Sequence, residues 1–238
     1  MKRNLTIGLI VLFILSGIRL FAQDAVIKEN RPVGSFSGIK VSGVAHIYLT
    51  KAETEKVNIE INNKEYNERL IVEVVNNILV IRMKPTEGSN NNNFRNLDLK
   101  IYIDYKDINS IRAGGVTHLF SQNVINAEKL DLEVSGVSNA KLEIKTKELN
   151  VQGSGTSNVT LTGSADAVNA RTSGVANIKA YELSAQSVKS ESSGASNIYV
   201  AVSKTISAKA SGASNINYKG DPQVTNEGTS GASHIRKM

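Results

Sequence analysis

The chain has 238 residues, with 28 Lys+Arg against 22 Asp+Glu, no cysteine and no tryptophan. Without cysteine there is no disulfide framework, no lipid anchor on a lipobox cysteine and no thiolate metal site. The formal charge of +6 falls to about +3 once Lys2, Arg3 and Arg19 of the N-terminal segment are set aside, so the charge gives nucleic-acid binding no support.

Residues 1–22 read as a secretory signal peptide. Lys2 and Arg3 form a basic start, Leu5 to Leu15 an apolar run, and Ala22 a small residue at the cleavage position. The run is too short for a transmembrane helix, which needs about 20 apolar residues. The mature chain is expected to begin at Gln23, to carry no transmembrane segment and to be exported to the periplasm, the outer surface or the medium.

Residues 23–105 form an N-terminal β region continuous with a repetitive second half. FSGIKVS at 36–42 and AHIYLT at 45–50 look like two strands around a first Ser-Gly corner. KVNIEI at 56–61 alternates cleanly, 70–83 reads as a hairpin turning at Asn76-Asn77, and 98–105 is a further strand. Between them, PTEGSNNNNFRN at 85–96 is a polar, Asn-rich loop.

Residues 106–238 are a repeat. SGASNI stands at 193–198 and again at 211–216, with near-copies at 135–140, 154–159, 173–178 and 230–235. Motif glycines from Gly115 onward are spaced 21, 19, 19, 20, 18 and 19 residues apart. Pairs such as Leu130/Leu132, Leu149/Val151 and Val168/Ala170 precede the glycines with period-2 alternation, and the alternation resumes after each motif. Each repeat therefore reads as strand, corner, strand, polar turn. A unit of this size cannot bury its own apolar face, and stacking copies at the ~4.8 Å strand spacing does so. The fold class is all-β, a parallel β-helix or solenoid with ~19-residue coils. The letters of the motif are those of a repeated corner. Gly136, Gly155, Gly174, Gly194 and Gly212 supply the sharp turn, and Asn139, Asn158, Asn177, Asn197 and Asn215 align as one amide column. A small residue after each glycine is expected because the coils stack directly on one another.

The motif that carries this reading, F-S-G-I-K-V-S-G-V-A-H-I-Y-L-T at 36–50 followed by the hairpin and serial SGxSN units, resembles the GIN-domain family. The resemblance extends over roughly 35–236. Its members are exported proteins described as auto-transporter adhesin heads, found mostly in Gram-negative bacteria. The resemblance implies a right-handed, all-β, pectate-lyase-like helix and an adhesin-like role, and it implies no established activity. An auto-transporter's membrane barrel of many ~10-residue amphipathic strands has no counterpart in these residues.

Enzymes on β-helices gather carboxylates, or carboxylates beside Arg or Lys, on one outer face. In this register one outward column reads Glu133, Gln152, Arg171, Glu191, Lys209 and its neighbour Asp131, Asn150, Asn169, Lys189, Ser207. Neither column sets two acids side by side, and Glu191 between Arg171 and Lys209 reads as a solvated ion-pair ladder. An acid pair assembled from turns, Asp166 with Glu182, is the weaker alternative. His46, His118 and His234 all occupy the Asn slot of the motif, as substitutions at the ends of the column, and two imidazoles without a nearby acid make a poor metal site. QGSGTSN at 152–158 lacks the Lys and the helix that a phosphate loop requires. The reading is thus of an exported, non-catalytic β-helical protein with no cofactor, no metal and no nucleic-acid partner. Its role is adhesive or structural, toward glycans or other cell-surface components. A polysaccharide lyase or hydrolase is the alternative.

Overall fold

The computed structural model describes residues 26–85 and 96–238. The segment read as a signal peptide and positions 86–95 of the Asn-rich loop lie outside the described residues. The protein is 72% strand and 3% helix, wound into a β-solenoid of about seven turns with ~19-residue coils.

The N-terminal elements are β1 (Ile27–Arg31), β2 (Gly38–Lys51), β3 (Lys56–Ile61), α1 (Lys64–Arg69), β4 (Leu70–Val75), β5 (Ile78–Met83) and β6 (Leu99–Tyr105). β2 is one strand rather than two. It runs on through Gly43 because it is laddered to β7 (Ser110–Ser121) from Gly38 to Leu49, with Gly43 opposite Gly115. On its other side β2 is shared between β5, opposite its first half, and β6, opposite its second. β6 then pairs antiparallel with β3, and β3 antiparallel with β1. The hairpin β4–β5 turns at Asn76 and Asn77, both with φ positive (49° and 63°), the geometry that two-residue hairpins favour.

The single described helix, α1, has no counterpart in the sequence reading, since its six residues bury no apolar side chain that periodicity could reveal. It is held at its start by the Asn63 side chain, which accepts from the Tyr66 N–H at 3.0 Å. Arg31 ties it down, donating to the Asn67 and Leu70 carbonyls.

The solenoid proper comprises β7, β8 (Ile125–Val134), β9 (Asn139–Gly153), β10 (Asn158–Thr172), β11 (Asn177–Ser192), β12 (Asn197–Gly212), β13 (Asn215–Lys219), β14 (Gln223–Gly231) and β15 (His234–Lys237), all parallel to their neighbours. β9 to β12 each run 15 or 16 residues from one motif to the next. The polar turns expected in mid-coil are therefore paired strand. Thr162, Gly163 and Ser164 bend, with Gly163 at φ +108°, yet stay opposite Glu143, Ile144 and Lys145. The ladder is interrupted at each SGxS corner and slips register in mid-coil, where Tyr181, Glu182 and Leu183 of β11 have no partner on β12.

Inward columns fill the core. One reads Leu130, Leu149, Val168, Val188, Ile206, and the next Leu132, Val151, Ala170, Ser190, Ala208, all buried. In the second column the side chains shrink from Leu132 to Ala170, Ser190 and Ala208 toward the C-terminal coils.

Candidate functional site

The SGxS corner is built from backbone first. From Gly115 to Gly194 the carbonyl of the motif glycine accepts from the N–H of the residue after the next coil's glycine, as in Val175 N–H to Gly155 O (2.8 Å) and Ala195 N–H to Gly174 O (2.9 Å). Gly194 sits at φ +80°, and a Cβ added there would stand 2.7 Å from Gly174 O. Glycine is required twice over, by conformation and by the backbone beneath it. The residue after the glycine faces water. Val137 and Val175 are each 55% exposed, so small size there is not imposed by stacking coils.

The following position is the buried one. Ser138, Ser157, Ser196 and Ser214 are fully buried, with Ala176 in the same slot of the intervening coil. Ser214 Oγ donates to Ser211 O (2.8 Å) and lies 2.9 Å from Ser192 O on the coil beneath, while its oxygen accepts from the Ser211 N–H (3.1 Å). Ser233 repeats this arrangement with Ser230 and Ala210. The hydroxyls of Ser196, Ser214 and Ser233 close their corners locally, a role that the periodicity of the sequence alone does not reveal, while Ser138 bonds to the coil beneath and Ser157 has no hydrogen-bond partner among the described residues.

The asparagines form a continuous amide chain. Asn158 donates to Asn139 (3.2 Å), Asn177 to Asn158 (3.1 Å), Asn197 to Asn177 (2.8 Å) and Asn215 to Asn197 (3.0 Å). The column is half-exposed to exposed rather than buried, and it bonds amide to amide while the corner backbone pairs between coils. His118 adjoins Asn139 (3.4 Å) and stacks on His46 with centroids 4.8 Å apart and planes 12° apart. His234 lies opposite Asn215 at the other end. No group of three His, Cys, Asp or Glu suited to a metal occurs among the described residues.

Beside the corner column the outward face is concave. A groove of about 580 Å³ runs between the column Gln152, Arg171, Glu191, Lys209 and the serines Ser173, Ser193, Ser211 and Ser230. Glu191 is paired with Arg171 (3.0 Å) and with Lys189 on its own strand (3.1 Å), not with Lys209. Lys209 makes no ion pair among the described residues. The two cations hold the Glu191 carboxyl below its ordinary range, through hydrogen bonds to Arg171 and Lys189 that outweigh burial.

A smaller groove of about 170 Å³ adjoins it, where Asp131 and Glu133 alternate onto one face beside Arg112 and Arg171. The column-by-column reading of the sequence missed this juxtaposition, since the two acids belong to neighbouring columns. Both are exposed, Glu133 is paired with Arg112 (3.5 Å), and Asp131 accepts from Asn150 (2.8 Å). Neither lies in the dry, enclosed surroundings in which a general acid is kept protonated. Asp166 and Glu182 are not brought together. Asp166 accepts from Gln186 (2.7 Å), and Glu182 stands opposite Thr162.

Residues 35–222 match the family described as "Putative auto-transporter adhesin, head GIN domain". The chain belongs to the GIN-domain family. Solved structures share the fold. A putative adhesin from Bacteroides fragilis NCTC 9343 is 26% identical with a TM-score of 0.81, covering 90% of this chain and 97% of that one. A putative adhesin from Parabacteroides merdae ATCC 43184 is 16% identical with a TM-score of 0.70, covering 90% and 96%. A putative lipid binding protein from Parabacteroides distasonis ATCC 8503 is 17% identical with a TM-score of 0.64, covering 90% and 96%. The last two identities carry the GIN fold alone. Comparison with curated proteins returns no match. No helix among the described residues is long and apolar enough to cross a membrane.

Proposed function

We propose that this GIN-domain protein is an exported, adhesin-like module that binds cell-surface ligands, glycans foremost, through the outward ladder face and performs no chemistry on them. Membership of a family described as adhesin heads gives the class. The observation that carries the reading is the groove along Arg171, Glu191, Lys209 and the serine column. It is an open, regular, polar trough, suited to a repetitive chain. Its one carboxylate, Glu191, is already held by Arg171 and Lys189. A glycosidase or lyase needs an acid free to move a proton, and its loss typically slows the reaction about 10²–10⁴-fold.

The test is a glycan array and a whole-cell binding assay run beside reducing-sugar and lyase assays. Binding without turnover, weakened in Arg171→Ala and Lys209→Ala, is the expected result. Turnover of any polysaccharide that is abolished by Asp131→Asn, Glu133→Gln, Asp166→Asn, Glu182→Gln or Glu191→Gln would establish the enzyme instead.

A further inference from the structure

Away from the groove, the N-terminal half of the solenoid carries a patch of rings on its outer surface. Tyr48 lies between Tyr102 (centroids 5.0 Å apart, planes at 16°) and Phe120 (5.5 Å, 19°). Two residues earlier on the same strands as Tyr48 and Phe120 is the stacked pair His46 and His118. All five rings are half-buried, on strands whose inward positions are taken by Ile47, Leu49 and Leu119. They are therefore not core residues. In the next coils the position of Phe120 is held by Lys141 and then Thr160, so the aromatic ladder stops at Phe120.

Where it stops there is a cleft of about 360 Å³, lined chiefly by Tyr48, Phe120, Gln122, Lys141, Glu143 and Thr162. Tyr48 covers one face of Phe120, and the cleft opens beside the ring. The side chains of Gln122, Lys141 and Glu143 make no hydrogen bond or ion pair among the described residues. Elsewhere on the solenoid surface charges are commonly paired, as in Lys129 with Glu148 and Lys147 with Glu128. Around Phe120 an amide, an ammonium and a carboxylate are all available, with formal charges that cancel. A ligand matching this set has one apolar face for the ring and a rim of groups that both donate and accept, and it carries no net charge. Pyranose sugars have that form, with C–H bonds on a flat face and hydroxyls around the edge, and sites of mixed aromatic and convergent polar character bind such molecules.

We infer that the cleft at Phe120 is a binding subsite for neutral hexopyranose units, with the sugar ring against Phe120 beside the edge of Tyr48 and its hydroxyls on Gln122, Lys141 and Glu143. The inference rests on the adhesin-like reading above but uses a different surface from the Arg171–Lys209 groove, so the two can fail separately.

Saturation-transfer NMR and calorimetry with maltohexaose, cellohexaose, laminarihexaose and mannohexaose test it. At least one should bind. Phe120→Ala should weaken that binding by about tenfold or more, the scale expected when a ring contact is lost. Gln122→Ala, at an exposed position, should weaken it without altering the urea midpoint, and Lys209→Ala should leave it unchanged. A purely structural ring stack predicts the reverse for Phe120→Ala, a lower urea midpoint with sugar affinity retained. Binding of none of the four sugars, or binding that survives both Phe120→Ala and Gln122→Ala, overturns the inference. Binding confined to a polyanion such as heparin, and lost in Lys209→Ala, overturns it while leaving the groove reading intact.

Discussion

A Cβ placed on Gly194 would lie 2.7 Å from the carbonyl oxygen of Gly174, one coil below, and that oxygen already accepts the Ala195 N–H at 2.9 Å. Conformation and sterics thus act at one position, and a substitution can separate them. Gly43 also has positive φ (+133°), but a Cβ there would meet nothing within 4 Å. Gly194→Ala should therefore destabilise by about 3 kcal/mol or more and Gly43→Ala by about 1–2 kcal/mol, the conformational part alone. Urea midpoints decide it. Equal losses at the two sites would remove the steric half of the account.

The amide column supports a graded prediction. Asn177 donates to Asn158 and accepts from Asn197, whereas Asn215 donates to Asn197 alone and His234 has no side-chain bond to the column. At about 0.5–1.5 kcal/mol for each half-exposed bond, Asn177→Ala should lose most, Asn215→Ala roughly half as much, and His234→Ala least. His234→Ala as the most damaging of the three in urea titrations would contradict the proposed stabilising role of the column.

Much of this architecture is legible in the sequence because a solenoid repeats its physics along the chain. Leu130/Leu132 and their successors alternate with period 2, and Gly136 to Gly231 recur at the coil length, so strand, corner and stacking direction are set by spacing alone. What the spacing does not carry is anything set by non-repeating contacts. Helix α1 rests on the Asn63 cap, on hydrogen bonds from Arg31 to Asn67 and Leu70, and on one from Asn67 to Glu29. The antiparallel pairing of β1 and β3 depends on which edge β6 leaves free. The buried serines and the exposed residue before them differ by one step in a motif whose letters are all small. Tyr48, Tyr102 and Phe120 meet although Tyr102 lies on a strand outside the repeat.

Histidine sets an upper pH limb of stability. Burial, then the neighbouring His118 and Lys100, lower the pKa of His46 from its ordinary 6.5, against an opposing pull from Asp98. The folded state therefore favours neutral His46, while the unfolded chain takes up a proton as pH falls through 6.5. Stability is intact above that value and declines below it. The carboxylates act lower. Glu29, held down by Asn67 and Arg31, and Glu191, held down by Arg171 and Lys189, contribute above their ordinary 4.5 and lose that contribution as pH falls further. Urea midpoints should drop in two stages on acidification, and His46→Gln should abolish the upper one. A midpoint in the wild type that stays flat between pH about 7 and about 5 would sink this assignment.

Tyr105 tests the core. It is fully buried, its hydroxyl has no hydrogen-bond partner among the described residues, and burial pushes its pKa up to about 12. Removing an unpaired buried hydroxyl relieves a desolvation penalty of about 1–3 kcal/mol. Tyr105→Phe should be neutral or stabilising, unlike a typical core change. At high pH the sign is fixed by the same burial. The unfolded phenol ionises near 10 and the folded one only near about 12, so the wild type loses stability as pH rises above 10. Tyr105→Phe should lose less over the same range, and a clear destabilisation by Tyr105→Phe at neutral pH would show that the hydroxyl is satisfied after all.

The last coil of the solenoid is written differently from those beneath it. The inward column Leu132, Val151, Ala170, Ser190, Ala208 continues in register to Glu227, and Tyr218 to Lys237. Among the described residues β14 and β15 pair on one side only, to β12 and β13, with a row of backbone donors and acceptors on the other. An exposed edge of this kind invites pairing with another chain, and a charge at an inward position discourages it, since a further coil would have to bury that charge. Glu227 and Lys237 are both exposed, and the Lys237–Asp221 ion pair (2.7 Å) is at the surface, so replacing them should leave the monomer's own core largely undisturbed. The double substitution Glu227→Val, Lys237→Val is expected to shift the protein to larger species in size-exclusion chromatography with light scattering, at a concentration where the wild type shows none. Far-UV circular dichroism should stay that of the wild type, which separates edge pairing from unfolding. An unchanged elution profile at rising concentration would show that the charges do not guard this edge.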